Sequence, residues 1–406
     1  MRILFLTNKP PFPPRDGSSL ATAQMITNLH SLGHQIHVFY LNTSKHTSHR
    51  KDIPTNLKNI SFTPVSINTK VRYLPALLSL FLSGIPYTVS RFINRESRKK
   101  LHILLQENTF DIIQVEGLSM APYFTLLYSS PETRIVFRPH NAEYVIWQKM
   151  AEKEKNLISK IYFHLLANQI RRYEKKTAGM FGVILPISHN DSNLFRSWNP
   201  RATILTVPFG VDIPSPVTYP EKPCSPTLLF LGALDWLPNI KGLVWFLANV
   251  WPAITKKIPG IKIRIAGRNP DKKLIRLIRK IKDREGKASG IEFLGEIGST
   301  EKFFFSGTVF VVPLLAGGGI RIKILEAMAR KCAVVSTSIG AAGIPVHNRN
   351  DILIADHPDE FAKAVEKLIK DPVFYRKITG NALLLLQKDF DKRRITKNLE
   401  KLYRSL

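Results

Sequence analysis

The sequence predicts an α/β protein built as two doubly wound, Rossmann-like halves, each a parallel sheet covered by helices. Three observations lead there. Short apolar, β-rich runs alternate with longer helix-like segments from residue 3 to residue 207. A proline-rich stretch over 213–226, with Ile213-Pro214-Ser215-Pro216 and Lys222-Pro223-Cys224-Ser225-Pro226, then breaks the pattern, because X-Pro bonds disfavour helix. Beyond it the alternation restarts. Strands joined by crossover helices make parallel sheets.

In the first half the strand-like runs are Ile3–Leu6, Ile36–Leu41, Asp111–Val115, Arg134–Phe137, Val183–Ile187 and Thr203–Val207. Gly17, Ser18 and Ser19 open the first helix, whose apolar positions Leu20, Met25, Ile26 and Leu29 face the sheet. Serine there reads either as a helix cap or as a ligand contact. In the second half the strands are Leu228–Leu231, Ile261–Ala266, Ile291–Leu294, Val309–Val312 and Ala333–Ser336, with helices such as Ile240–Thr255 and Lys323–Arg330 between them. Helical segments at Pro358–Lys370, Pro372–Leu386 and Lys392–Leu406 follow. The expected organisation is a first domain over 1–212, a linker over 213–226, a second domain over 227–388 and a C-terminal helix over 389–406 that packs back on the first domain.

Composition bounds the function. The 406 residues are 44% hydrophobic, enough for sizeable cores, and carry 59 Lys and Arg against 31 Asp and Glu, a net +28. Such a surface attracts phosphates, anionic lipid or nucleic acid. The two cysteines, Cys224 and Cys332, lie too far apart in sequence to suggest a disulfide scaffold or a cysteine zinc cluster, so a cytoplasmic setting is expected. Ile3–Leu6 is too short for a signal peptide, and the apolar stretch Tyr73–Tyr87 is shorter than the roughly 20 residues that span a bilayer. Basic residues recur on predicted helices, and with Tyr73–Tyr87 they suggest peripheral contact with an anionic membrane. No aromatic-basic RNA signature or DNA-reading motif accompanies them, so no nucleic acid is expected.

The segment richest in chemistry runs from Pro313 to Ala329: a strand enters Gly317-Gly318-Gly319 and leaves as a helix bearing Arg321, Lys323 and Glu326. Glycines let backbone N–H groups approach an anion, and a helix N-terminus adds partial positive charge. Arg321 and Lys323 supply fixed charge, while Glu326 can accept from sugar hydroxyls, a set that fits a phosphate-plus-sugar ligand. His140 follows a predicted strand and so lies at the sheet end where α/β proteins bind ligands. Asp389-Phe390-Asp391 has metal-motif spacing but sits among Lys388, Lys392 and Arg393, and reads as a helix cap; no metal site is expected.

Several segments, in order, resemble retaining GT-B glycosyltransferases of family four. They are Pro13-Pro14-Arg15-Asp16-Gly17-Ser18, Arg138-Pro139-His140-Asn141-Ala142-Glu143, Val207-Pro208-Phe209-Gly210-Val211-Asp212, Phe230-Leu231-Gly232-Ala233-Leu234-Asp235-Trp236-Leu237-Pro238-Asn239, Ile265-Ala266-Gly267-Arg268, the triple-glycine segment and Val334-Val335-Ser336-Thr337-Ser338-Ile339-Gly340-Ala341. The resemblance implies transfer of a sugar from a nucleoside diphosphate sugar, bound by the second domain, to a glycan or lipid-linked acceptor held by the first, with no cofactor or metal. It assigns Glu326 to the donor ribose, Gly317, Gly318, Gly319 and Lys241 to the donor, and Arg321 and Lys323 to the leaving diphosphate. His140 falls to the donor sugar at its reacting face, and Gly17 and Ser18 to the diphosphate or acceptor. The family's first glutamate is replaced by Gly318, and a common arginine by Ala233. These departures keep a catalytically silent sugar-nucleotide-binding subunit as the alternative, with a nucleic-acid-binding protein behind it.

Overall fold

The computed structural model describes residues 1–43, 46–127, 132–213, 226–317 and 319–406. The expected linker therefore lies almost wholly outside the described residues. The chain forms two compact units, one comprising Met1–Phe209 with Thr396–Leu406 and the other Gly210–Ile395.

Unit 1 holds a seven-stranded parallel sheet. Its strands are β1 (Arg2–Thr7), β2 (Gln35–Asn42), β3 (Ser61–Ser66), β4 (Ile112–Glu116), β5 (Arg134–Arg138), β6 (Val183–Ile184) and β7 (Thr203–Ile204), in the order β3-β2-β1-β4-β5-β6-β7. Sequence reading passes over β3 because it contains Pro64; the strand lies on the sheet edge, where proline is tolerated. Leu4, Leu6, Phe39, Val115, Phe137, Phe181 and Phe195 form part of the core.

Helix α1 (Gly17–Ser31) starts at a capping box in which Asp16 is the N-cap and Ser19 its reciprocal partner. Asp16 Oδ1 accepts from the Ser19 N–H at 2.9 Å while Ser19 Oγ accepts from the Asp16 N–H at 3.0 Å. The apolar stretch after residue 72 becomes a ten-residue helix, α2 (Tyr73–Leu82), and two further helices, α3 (Glu143–Lys153) and α4 (Leu157–Ala178), follow β5. Among the described residues no helix is long and apolar enough to cross a membrane.

Unit 2 repeats the plan with six parallel strands: β8 (Thr227–Leu231), β9 (Lys262–Ala266), β10 (Ile291–Gly295), β11 (Val309–Val312), β12 (Ala333–Ser336) and β13 (Leu353–Ile354), ordered β10-β9-β8-β11-β12-β13. The expected helix over 240–255 is instead α5 (Leu237–Trp245), a π-turn at Phe246–Val250 and a last stretch, Trp251–Lys257. Pro252, which lacks an amide hydrogen, accounts for the interruption. Helix α6 (Ile322–Ala329) leaves the glycine loop after β11.

The closing helix, α7 (Lys392–Ser405), is capped by Asp391, whose Oδ1 accepts from the Arg394 N–H at 2.7 Å. From Thr396 on it belongs to unit 1, where Leu399 and Tyr403 are buried and Asn28 donates to Thr396 Oγ1 at 3.0 Å.

Candidate active site

Both sheets reverse strand order once, β1 beside β4 in unit 1 and β8 beside β11 in unit 2. Ligands of open α/β sheets bind beyond the carboxyl ends of strands at such a point. In both units, sequence-predicted residues lie at or just beyond those strand ends.

In unit 1 the register sets Thr7, Glu116 and Arg138 side by side at the ends of β1, β4 and β5. Glu116 and Arg138 are each 1% exposed, so neither carboxylate nor guanidinium is compensated by water. Glu116 Oε2 accepts from Arg138 Nη1 at 3.1 Å, from Thr22 Oγ1 at 2.8 Å and from His140 Nε2 at 2.8 Å. Its Oε1 accepts from Gln114 Nε2, and Gln114 Oε1 accepts from the Tyr403 hydroxyl of α7. Burial alone would raise the Glu116 carboxyl, but Arg138, His140 and Gln114 outweigh it and hold its pKa at about 2.

An ionised Glu116 cannot donate, so the proton between it and His140 sits on His140 Nε2. Burial pushes the His140 imidazole below its ordinary pKa, and the neighbouring Glu116 charge opposes this without cancelling it. The ring is therefore neutral at pH 7, with its lone pair on Nδ1. That atom is shielded from solvent and has no hydrogen-bond partner among the described residues.

Close in sequence, Gly17 is exposed and Ser18 Oγ donates to Asp16 Oδ1 at 3.1 Å. Lys9 Nζ pairs with Asp16 Oδ2 at 2.7 Å. Asn141 and Glu143 do not cap α3 with their side chains. The buried Glu174 carboxyl group, which burial pushes up to about 8, does so instead, accepting from the Glu143 and Tyr144 N–H groups at 2.9 and 3.3 Å.

In unit 2, Arg321 sits at the N-terminal boundary of α6, its guanidinium 5.4 Å from the Trp236 ring. Gly317 closes over it with φ +125°; a Cβ there would lie 2.5 Å from Arg321 Nη2 and 3.2 Å from Trp236. Gly242 of α5 has a different reason to be glycine: a Cβ would lie 2.3 Å from the Pro313 carbonyl oxygen, so α5 packs backbone to backbone against the loop after β11.

Lys323 and Glu326 follow on the first turns of α6. Burial lowers the Lys323 ammonium, which Glu326 opposes, and burial raises the Glu326 carboxyl, opposed by Arg330 and Lys323. Neither group is hydrogen-bonded or ion-paired among the described residues, so two cations and a carboxylate stand partly desolvated at one loop.

The structure thus gathers Gly317, Gly319, Arg321, Lys323 and Glu326 on one loop and helix start. Gly318 lies outside the described residues. Lys241 is exposed on α5, and no hydrogen bond or ion pair among the described residues ties it to that loop. Asp389 and Asp391 belong to the ends of helices, and among the described residues no group of three His, Cys, Asp or Glu is placed to hold a metal ion. Glu116 escapes sequence reading, and Arg138 enters it only as part of a motif, with no role of its own. The only signal was a pair of charged residues ending apolar strands.

Two doubly wound units with these strand orders define a GT-B protein. Residues 225–371 match the family model described as Glycosyl transferases group 1. That match lies within the second unit, and the two-unit architecture is that of the GT-B fold. It is 24% identical over 404 residues to a Klebsiella pneumoniae protein described as an uncharacterized 44.6 kDa protein in the cps region, covering 98% of this chain and 99% of that one. A phosphatidyl-myo-inositol mannosyltransferase of Mycolicibacterium smegmatis is 26% identical over 270 residues, 63% of this chain and 62% of its own. Among solved structures, Anabaena HepE in complex with UDP superposes with a TM-score of 0.66 at 16% identity, covering both chains fully.

Proposed function

We propose that the protein transfers a hexosyl unit from a nucleoside diphosphate sugar to an acceptor with retention at the anomeric carbon. One observation carries this reading: Arg321, Lys323 and Glu326 stand partly desolvated beside a glycine loop, at the strand end where α/β sheets take nucleotides. Arg321, Lys323 and the free N–H groups of α6 neutralise the leaving diphosphate, and Glu326 accepts from the ribose hydroxyls. The charge that grows as the anomeric C–O(phosphate) bond breaks meets donors already oriented toward it.

The acceptor oxygen bonds to the anomeric carbon on the face the diphosphate leaves, and its proton passes to a diphosphate oxygen. No nucleophile from the chain is needed, which accords with glycine at position 318. The reading needs no cofactor or metal beyond the donor. The family resemblance gives His140 to the donor sugar at its reacting face, Gly17 and Ser18 to the diphosphate or acceptor, and Lys241 to the donor.

A lipid-linked acceptor, or a glycan assembled on one, is favoured by an apolar face on unit 1. Tyr73, Leu74, Phe81 and Leu82 of α2 and Leu157 and Ile158 of α4 are each more than 65% exposed. The two helices adjoin, since Gln169 of α4 donates to the Ser79 and Ser83 carbonyls at 2.6 and 2.9 Å. Exposed Lys70, Arg72 and Lys155 flank them, a combination suited to an anionic membrane on the cytoplasmic side.

Isothermal titration with nucleoside diphosphates, UDP first because HepE was crystallised with it, tests the donor site. Glu326→Ala should weaken binding by roughly 2–4 kcal/mol, the loss of two hydrogen bonds to a charged acceptor. Unchanged affinity in a folded variant removes Glu326 from the site. Donor hydrolysis without acceptor separates an enzyme from a silent binding subunit.

A further inference from the structure

We propose that Glu116 is a positioning residue that holds His140 as the neutral Nε2–H tautomer, leaving the Nδ1 lone pair to accept from a hydroxyl of the bound substrate. The inference rests on the reading that His140 lines the reacting face, and adds how this chain fixes its proton. The geometry leaves little freedom. Three donors converge on Glu116 Oε2, from Arg138, Thr22 and His140, and Gln114 takes Oε1. With both carboxylate oxygens engaged by donors and the residue 1% exposed, the carboxylate can only accept.

The imidazole is held from one side only. His140 Nε2 is fixed at 2.8 Å, whereas Nδ1 is a shielded polar atom with no partner among the described residues. Buried polar groups are ordinarily paired, and one left open beside a strand-end site fits a partner that arrives with the ligand. The network is closed at its far end by the last helix, where Tyr403 donates to Gln114 and thereby turns the Gln114 amide toward Glu116. Among the described residues no acceptor is hydrogen-bonded to Nδ1 to draw the His140 proton to that nitrogen. A neutral imidazole with a free lone pair suits a hydroxyl ligand, since an imidazolium could only donate there.

Two measurements test this, one of them independent of glycosyl transfer. Nitrogen-15 NMR of the full-length protein, with histidines labelled and the His140 signal assigned by loss in His140→Ala, should show a neutral ring protonated at Nε2 at pH 7. A ring protonated at Nδ1, or an imidazolium, overturns the proposal whether or not donor and acceptor are known.

In the second, Glu116→Gln should lower kcat by about 10²-fold while the donor KM stays within about 3-fold, the pattern of a reacting group held out of place. The double variant Glu116→Gln/His140→Ala should then be no slower than His140→Ala alone, because Glu116 acts through the ring. Multiplicative losses show that Glu116 acts elsewhere and overturn the proposal. If Glu116→Gln does not fold, the NMR result on the native protein decides. Loss of nucleotide affinity in Glu326→Ala is read on unit 2 and stands or falls separately.

Discussion

Replacing Gly317 with alanine displaces Arg321 without touching its chemistry, and the structure gives the size of the displacement. The new Cβ would sit 2.5 Å from Arg321 Nη2, where non-bonded atoms prefer roughly 3.5 Å, so the guanidinium must retreat by about 1 Å. Trp236 restricts that retreat, with its ring 5.4 Å from the guanidinium carbon and one ring atom only 3.2 Å from the new methyl. The backbone adds its own penalty, because φ +125° suits glycine and costs an L-residue about 1–3 kcal/mol. A shift of this size in a charge-stabilising donor removes about 10²-fold in turnover. Steady-state kinetics on Gly317→Ala, with thermal unfolding in parallel, should show kcat falling toward that of Arg321→Ala while Tm drops by only a few degrees. Full turnover in a folded Gly317→Ala would mean that Arg321 does not need its place beside Trp236, and the proposed role in stabilising the leaving diphosphate would be lost.

Other outcomes follow from the same geometry. Arg321→Ala should lower kcat by about 10²- to 10³-fold, whereas Arg276→Ala, on the exposed face of the Lys272–Glu285 helix, should leave it unchanged; equal small effects in a coupled nucleotide-release assay argue against an enzyme. The Glu116 pKa of about 2 lies below its ordinary 4.5, so its stabilisation is complete above pH 4.5 and lost as pH falls toward 2. Urea unfolding at pH 6 and pH 3 should therefore show Glu116→Gln losing less stability on acidification than the native chain, and equal losses contradict the assignment. Co-sedimentation with phosphatidylglycerol-containing vesicles should retain the protein at low salt and release it at high salt, and Leu77→Ser/Phe81→Ser or Leu157→Ser/Ile158→Ser should weaken retention. No retention at low salt favours a soluble acceptor.

The parallel strands and the donor-side residues were readable because they rest on local pattern. Alternating apolar runs announce parallel strands, and Arg321, Lys323 and Glu326 lie within six positions, so a glycine turn and one helix start suffice to bring them together. Edge strand β3 hid behind Pro64, and β13 is only two residues long. Serines mark the start of the first helix, and Ser19 completes the capping box, but the N-cap is Asp16, because a carboxylate held by Lys9 accepts the first-turn amides better than a hydroxyl.

The acceptor-side arrangement was not readable for a different reason. Glu116 and His140 are 24 positions apart in the chain, and Tyr403 lies a further 263 positions on; their meeting depends on the register of β4 with β5 and on the return of α7 to unit 1. Shifting β4 by one residue would turn Glu116 to the other face of the sheet, away from His140 and Thr22, and leave Arg138 buried without its counter-charge. A buried charge pair of this kind adds little net stability over an apolar pair but penalises every register that breaks it, so the pairing selects the arrangement that also orients His140. The site in unit 1 is therefore specified by the same contacts that specify the sheet, and its residues become recognisable only once the sheet is assembled.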